Sequence, residues 1–239
     1  MFIRSLAQRG YKKAAVGVSQ STLSVADFRS DTCTKPCDKM RDAMANAVVG
    51  DEVYGDDPTT NKLHRDMAEL LGKEAALITT SGTQANLISM MLMNDKIGSA
   101  VVIGSNSHIM YYERGGMASI GGVFGYILPN LPDGTIDMDA LKYHVPSPDN
   151  PHKVKITGIS LESSQNNCGG RAIQPAYISE VKKYAKKNKV KLHLDGARAW
   201  NSALYHGLTM KEYVKDFDIL NVCMSKGMGC PALSVIAGT

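Results

Sequence analysis

Residues 190–195 read VKLHLD, and residues 219–226 read ILNVCMSK. Each stretch is a short apolar run, which is typical of a buried β-strand. A single charged residue closes each run, Asp195 in the first and Lys226 in the second. In open α/β sheets the carboxyl ends of the strands form the edge where ligands bind. The sequence therefore predicts that a carboxylate and an amine reach the same crevice.

Similar apolar runs alternate with helical stretches from Asp27 to the last residue. This alternation predicts an α/β fold with a mostly parallel sheet that is flanked by helices. The predicted strands are residues 75–79, 100–103, 123–128, 156–161, 191–194, 219–224 and 234–237. The predicted helices are residues 63–71, 83–93, 110–120, 138–143, 175–187 and 210–214, with a further helical period over 40–47. Residues 50–58, with two glycines, acids and a proline, are expected to form an ordered loop.

The composition excludes several functional classes. A chain of 239 residues can form one large domain, and its formal charge of +4 is modest. Because the basic residues concentrate at the N-terminus and in 182–191, no nucleic-acid face is expected. The five cysteines form no CxxC pair, which argues against zinc and against a disulfide framework. No apolar run approaches the ~20 residues that a membrane span needs.

Residues 1–26 differ from the rest of the chain. They contain Arg4, Arg9, Lys12 and Lys13, several serines and no acidic residue. This composition is that of a mitochondrial transit peptide, and the alternative is a basic tail that carries no address. A mitochondrial or a cytoplasmic location is therefore expected, and we exclude these residues from the fold.

Three further features lie where strands are predicted to end. Ser81-Gly82-Thr83 joins a strand to a helix, so its N–H groups and hydroxyls could bind an anion or simply cap the helix. His108 could stack on an aromatic ring or be a structural histidine. Arg198 would face the same crevice as Asp195. A carboxylate and an amine together are what pyridoxal phosphate requires, because the amine forms an imine with the aldehyde and the carboxylate keeps the pyridine nitrogen protonated.

Several longer stretches carry a family resemblance. They read DFRSDTCTKP, GDEVYGDDPTTNKL, LLGKEAALITTSGTQANL, SHIMYYERGGMA, GGRAIQP, LHLDGARAWNSA and CMSKGMGCP. From about Asp27 onward the chain resembles the threonine aldolases of the aromatic amino acid β-eliminating lyase/threonine aldolase group. The resemblance implies the large domain (residues 27–239) of a pyridoxal phosphate-dependent, aspartate aminotransferase-type enzyme of fold type I. It also implies cleavage of threonine or allo-threonine to glycine and acetaldehyde.

The resemblance also implies roles for individual residues. Lys226 falls on the Schiff-base lysine, Asp195 on the partner of the pyridine nitrogen, and His108 on the histidine stacked over the ring. The phosphate-binding turn is matched by Ser81, Gly82 and Thr83. Ser30 and Arg198 match groups near the cofactor and the substrate carboxylate. Tyr54 matches a segment that reaches an active site shared between subunits, so a homodimer or homotetramer is expected. Glu113 lies on a matching stretch without an assigned role.

Two departures from the family pattern qualify these expectations. Gln165 stands where the family usually has a histidine that is a candidate base for the β-hydroxyl, and an amide cannot accept a proton at neutral pH. His108 could replace it only within hydrogen-bond reach. The family's small C-terminal domain, with an arginine for the substrate carboxylate, is also expected to be absent. Two alternatives therefore remain: a short form or subunit partner that binds pyridoxal phosphate without turnover, and another reaction such as β-elimination or transamination.

Overall fold

The computed structural model describes residues 26–94, 98–146 and 150–239. The chain divides into two compact units, Met1–Ser30 and Asp31–Thr239. In the first unit the described residues include an ion pair between Arg29 and Asp27. The predicted transit peptide lies outside the described residues except for Ala26. The helices and strands of the described residues all lie in the second unit.

A seven-stranded sheet forms the centre of this unit. Its strands lie in the order β1-β7-β6-β5-β4-β2-β3. Only β7 runs antiparallel to its neighbours, and the other pairs are parallel. The prediction of a mostly parallel sheet is therefore confirmed. The strands are β1 (Ala75–Thr79), β2 (Ser99–Gly104), β3 (Phe124–Leu128), β4 (Lys155–Glu162), β5 (Lys191–Asp195), β6 (Ile219–Cys223) and β7 (Ser234–Gly238).

Helices cover both faces of this sheet. One buried cluster joins Ala85 and Met90 to Val101 of β2, and a larger cluster on the other face includes Val102 of the same strand. Adjacent residues of a strand point to opposite faces, which explains the division. The helices are α1 (Asp38–Ala45), α2 (Pro58–Leu71), α3 (Gly82–Met93), α4 (His108–Tyr111), α5 (Gly116–Ser119), α6 (Met138–His144), α7 (Pro175–Lys187), α8 (Ala199–Tyr205) and α9 (Met210–Val214); Asp31–Cys33 forms one 3-10 turn.

The ends of α2 show how local sequence determines an element. Its N-cap is Asp57, whose side chain accepts a hydrogen bond from the backbone N–H of Thr60 at 2.7 Å. Pro58 occupies the first helical position, where its missing N–H costs nothing. Gly72 ends the helix in the left-handed conformation, with φ of 63°. The predicted end at Gly72 is confirmed.

One predicted helix is wrong. Residues 110–120 form two four-residue helices, α4 and α5, rather than a single element. Between them Arg114 and Gly115 both have positive φ, at 57° and 67°. A right-handed helix cannot continue through such residues, so the apolar periodicity of this stretch was misleading. Helix α8 was not predicted at all.

Within the described part of the chain, no helix is both long enough and apolar enough to cross a membrane. All five cysteines are free thiols, and Cys223 is buried in β6. Cys223 therefore packs as a small apolar side chain in the interior.

Candidate active site

Asp195 is the last residue of β5 and lies at the carboxyl edge of the sheet. Its neighbours across the two adjacent strands are Glu162 of β4 and Asn221 of β6. The side chain is only 2% exposed. Asn86 donates from Nδ2 to one carboxylate oxygen at 2.8 Å, and the backbone N–H of Ala197 donates to the other at 3.2 Å. Each oxygen of this buried carboxylate therefore has a hydrogen-bond donor, which fixes the orientation of the group.

Gly196 lets the chain turn tightly against the neighbouring strand. Its backbone N–H donates to the carbonyl oxygen of Asn221 at 2.9 Å. A Cβ atom at this position would lie 2.5 Å from that same oxygen. The residue after the buried carboxylate must therefore be a glycine if β5 and β6 are to keep this spacing.

The predicted anion-binding turn lies at the start of α3. Ser81 caps this helix, because its side chain accepts from the backbone N–H of Gln84 at 3.2 Å. A Cβ atom on Gly82 would lie 2.8 Å from the sulfur of Cys223, so glycine also allows α3 to approach β6. The first turn of this 12-residue helix also carries the positive end of the helix dipole, which favours an anion.

Lys226 lies in the loop that connects β6 to β7. Its carbonyl oxygen accepts hydrogen bonds from the backbone N–H of Gly229 at 2.9 Å and from Oγ1 of Thr34 at 2.7 Å. Its side chain reaches a cavity of about 380 Å³, a size that suits a small ligand. The predicted residues that line this cavity are Ser81, Gly82, Thr83, His108, Asp195 and Lys226, together with Asn86.

His108 begins α4 and is held by two carboxylates. Its backbone N–H donates to Oε2 of Glu162 at 2.7 Å, and its Nδ1 lies 2.9 Å from Oε1 of Glu113. The hydrogen bond to Glu113 raises the pKa of the imidazole above its usual value. Burial, reinforced by the nearby charge of Asp195, raises the pKa of Glu162 to about 7. The ring nitrogen that Glu113 does not hold is Nε2.

The structure does not bring every predicted residue into this cavity. Arg198 forms a two-point ion pair with Asp31, at 2.7 and 2.9 Å, and lines a neighbouring cavity of about 610 Å³. Tyr54 is 84% exposed in the loop before α2. Ser30 belongs to the first unit. The roles of these three residues near the cofactor or the substrate stay predictions.

Gln165 has a structural function in this chain. Its side chain is fully buried, with 0% exposure. Its amide nitrogen donates to the carbonyl oxygen of Asn106 at 2.7 Å, and its amide oxygen accepts from the backbone N–H of Cys168 at 2.7 Å. The amide is therefore bonded at both ends to loop backbone.

Sequence reasoning missed Asn86 and Glu162, and left Glu113 without a role. Asn86 occurs inside the quoted stretch TSGTQANL, one turn into α3, where a buried polar residue in an apolar helix is a usable signal. Glu162 closes the apolar run of β4 just as Asp195 closes that of β5. The same rule that identified Asp195 could have identified Glu162.

A family model described as beta-eliminating lyase matches residues 27–239. The chain belongs to the β-eliminating lyase family. Among curated proteins of similar sequence is low-specificity L-threonine aldolase 1 of Arabidopsis thaliana. It is 45% identical to this chain over 214 residues, which cover 89% of this chain and 60% of the relative. The low specificity L-threonine aldolase of Escherichia coli (strain K12) is 37% identical over 212 residues, 89% of this chain and 62% of the relative.

A solved structure of Leishmania major threonine aldolase matches with a TM-score of 0.73 at 22% identity, over 87% of this chain and 60% of that one. At this identity the likeness shows the shared fold, which confirms the predicted fold type. The chain spans about 60% of the length of the curated relatives it matches.

The close approach at Gly196 gives a test of the site's architecture. We expect Gly196→Ala to destabilise this β-eliminating lyase family member by about 1–3 kcal/mol, because the new methyl group must displace backbone. Gly116→Ala is the matched control, since nothing lies within 4 Å of its added Cβ. Urea unfolding of the full chain measures both changes. Equal unfolding midpoints for Gly196→Ala and the wild type would show that the strands relax freely here.

Proposed function

We propose that the 380 Å³ cavity binds pyridoxal 5′-phosphate. The observation that carries this proposal is the convergence of a buried carboxylate, an amine and a helix N-terminus on one cavity, at Asp195, Lys226 and Gly82. The donor set fits the ligand, which has a basic ring nitrogen, an aldehyde and a dianionic phosphate. Membership of the β-eliminating lyase family supports the same cofactor.

Each residue would have a separate task toward this cofactor. Asp195 would hold a proton at the pyridine nitrogen, and hydrogen bonds from Asn86 and Ala197 fix the orientation of its carboxylate. Lys226 would carry the cofactor on its side-chain nitrogen. Ser81, Gly82 and Thr83 would bind the phosphate at the start of α3. When bound, the cofactor accepts the electron pair released at the substrate Cα.

The proposed reaction is the cleavage of threonine or allo-threonine to glycine and acetaldehyde. The curated relatives are named low-specificity L-threonine aldolases, which supports this substrate class. His108 would take the β-hydroxyl proton at Nε2, since Glu113 holds Nδ1. Only the neutral imidazole can accept that proton. Because Glu113 raises the pKa of His108, the competent form is favoured at higher pH.

A second candidate function is binding of the cofactor without turnover. The position of Gln165 favours it, because the side chain there is buried, uncharged and bonded to backbone at both ends. Of the two positions named as candidate bases for the β-hydroxyl, 165 and 108, only His108 can then accept the proton. The two functions share the same cavity and differ only in whether the carbon–carbon bond breaks.

The cofactor proposal predicts a spectroscopic result. Purified wild-type chain with pyridoxal phosphate should show the visible absorption band of an amine-bound cofactor, and Lys226→Ala should lose it. Lys211→Ala is the control, since that lysine is exposed on α9, outside the cavity. The band is measured by absorbance after removal of free cofactor. A wild type without the band, or a Lys226→Ala variant that keeps it, contradicts the proposal.

Turnover is tested separately with allo-threonine and threonine as substrates. If the chain is a lyase, acetaldehyde forms and the coupled reduction of acetaldehyde by alcohol dehydrogenase consumes NADH. Lys226→Ala should be slower by at least about a thousandfold, since the nucleophile is removed. A chain that shows the visible band but releases no aldehyde from either substrate is a cofactor binder.

We further propose that the chain acts as a homo-oligomer in which Tyr54 serves the site of a partner subunit. Val53 and Tyr54 are both exposed, and Val48 and Val49 add apolar surface nearby in sequence. Exposed apolar groups of this kind are typical of contact surfaces.

Complementation tests this arrangement. Tyr54→Ala and Lys226→Ala should each be weakly active as purified homo-oligomers. Co-refolded equal mixtures should regain about a quarter of wild-type aldehyde release. Random pairing makes about half of the dimers mixed, and each mixed dimer has one complete site out of two. A different affinity tag on each variant, with purification over both tags in succession, establishes that mixed dimers exist. Mixed dimers with no recovered activity would place Tyr54 in its own subunit's site or outside any site.

A further inference from the structure

Two buried carboxylates meet at one amide group in the cavity. Nδ2 of Asn86 lies 2.7 Å from Oε1 of Glu113 and 2.8 Å from Oδ2 of Asp195. Asn86 is 2% exposed and Glu113 is 7% exposed. A side-chain amide nitrogen has two N–H donors, so one hydrogen is available for each carboxylate. Asn86 of α3 thus connects Glu113, which precedes α5, with Asp195 at the end of β5.

The orientation of this amide follows from its surroundings. An amide oxygen placed between two ionised carboxylates would be repelled by both, so the nitrogen must face them. The amide oxygen of Asn86 is then left without a hydrogen-bond partner among the residues that the structure describes. An unpaired buried acceptor costs free energy. The two hydrogen bonds of the amide nitrogen to the carboxylates are therefore formed at the cost of one unpaired acceptor.

The chain of hydrogen bonds continues to the imidazole of His108. The same Oε1 atom of Glu113 that accepts from Asn86 lies 2.9 Å from Nδ1 of His108. The charge of Asp195 raises the pKa of the imidazole, and the charge of Lys226 lowers it. Its backbone N–H is bonded to the carboxylate of Glu162. The imidazole and the Asp195 carboxylate are therefore connected through Glu113 and Asn86.

We propose that Asn86 and Glu113 are positioning residues that couple His108 to Asp195, so that these two cavity-lining groups respond to each other. This inference rests on the proposed function, because Asn86 lines the cavity proposed for the cofactor and Glu113 is bonded to it. Glu113 fixes the ring orientation of His108 and leaves Nε2 for the substrate. Asn86 stabilises both negative charges at once and holds them apart.

Cofactor affinity tests the contribution of Asn86. Asn86→Ala removes a charge-assisted hydrogen bond to Asp195, and such bonds are strong enough that we expect the dissociation constant of pyridoxal phosphate to rise about tenfold or more. Ser89→Ala is the matched control. That hydroxyl is also buried on α3, but it bonds only to the backbone oxygen of Ala85 and does not line the cavity. Equilibrium dialysis measures the affinity, and circular dichroism confirms folding.

A double-mutant cycle tests whether the two residues act together. Glu113→Gln keeps the shape of the side chain and removes its charge. If the link passes through Asn86, this change weakens cofactor binding less in the Asn86→Ala background than in the wild type. Equal effects in both backgrounds, or wild-type affinity in Asn86→Ala, would overturn the proposal.

A measurement on cofactor-free protein separates this proposal from the proposed function. NMR titration of His108, assigned with a His108→Gln variant, should show a lower pKa in Glu113→Gln because the ring loses its anionic partner. Asn86→Ala should shift the pKa upward, since both carboxylates then lack the amide donor and attract the imidazolium proton more strongly. Ser89→Ala should leave it unchanged.

The combined outcomes are distinct. If wild-type protein binds no pyridoxal phosphate yet shows both shifts, the proposed function fails and the coupling stands. If the cofactor binds normally but the pKa of His108 ignores Asn86 and Glu113, the coupling fails and the proposed function stands. If Asn86→Ala does not fold, Asn86→Ser replaces it in both measurements, and a pKa of His108 that is unchanged in that variant overturns the coupling.

Discussion

The buried charge of Asp195 is the constraint on which the site depends. A carboxylate at 2% exposure loses most of its hydration, and such a loss costs several kcal/mol unless hydrogen-bond donors replace the water. Asn86 supplies one donor and the backbone N–H of Ala197 supplies another. The first donor fixes the rotation of α3 about its axis, and the second requires the tight turn at Gly196. The placement of one charge thereby determines how a helix and a loop pack on the sheet.

Near this edge, one face of the sheet carries apolar side chains of the core and the other carries polar side chains. Leu161, Leu194 and Val222 enter the large apolar cluster on the face opposite α3. The next residue of β4, Glu162, bonds to His108, and the next of β5, Asp195, lines the cavity. Asn221, which precedes Val222 on β6, lies on the face that α3 covers. Because side chains alternate along a strand, one residue step separates the two roles. A shift of register by one residue would bury three charged or polar groups in the apolar cluster, which strongly specifies the pairing.

Much of this arrangement could be predicted from the sequence, because the strand ends and the turn before α3 depend on local patterns. Asp195, Lys226 and Gly82 were found in this way. The link between Asn86 and Glu113 could not be predicted, since it depends on the rotation of α3 against residues 27 positions away. The pairing of Arg198 with Asp31 joins residues 167 positions apart, so the sequence could not show that the arginine lines a different cavity from Asp195. The break at Arg114 was missed because a non-glycine residue rarely adopts positive φ.

Gln165 shows how a departure from a family pattern can be absorbed by the fold. Its amide holds the carbonyl oxygen of Asn106, two residues before His108, while Glu162 holds the backbone N–H of His108 itself. Two residues that follow or end β4 therefore brace the segment that carries the imidazole. A residue with this role must be a neutral donor and acceptor, and a histidine that exchanged protons with substrate could not keep both bonds throughout a reaction. If the proposed reaction takes place, proton transfer would therefore depend on His108, and the geometry around that ring is set by Glu113 and Glu162.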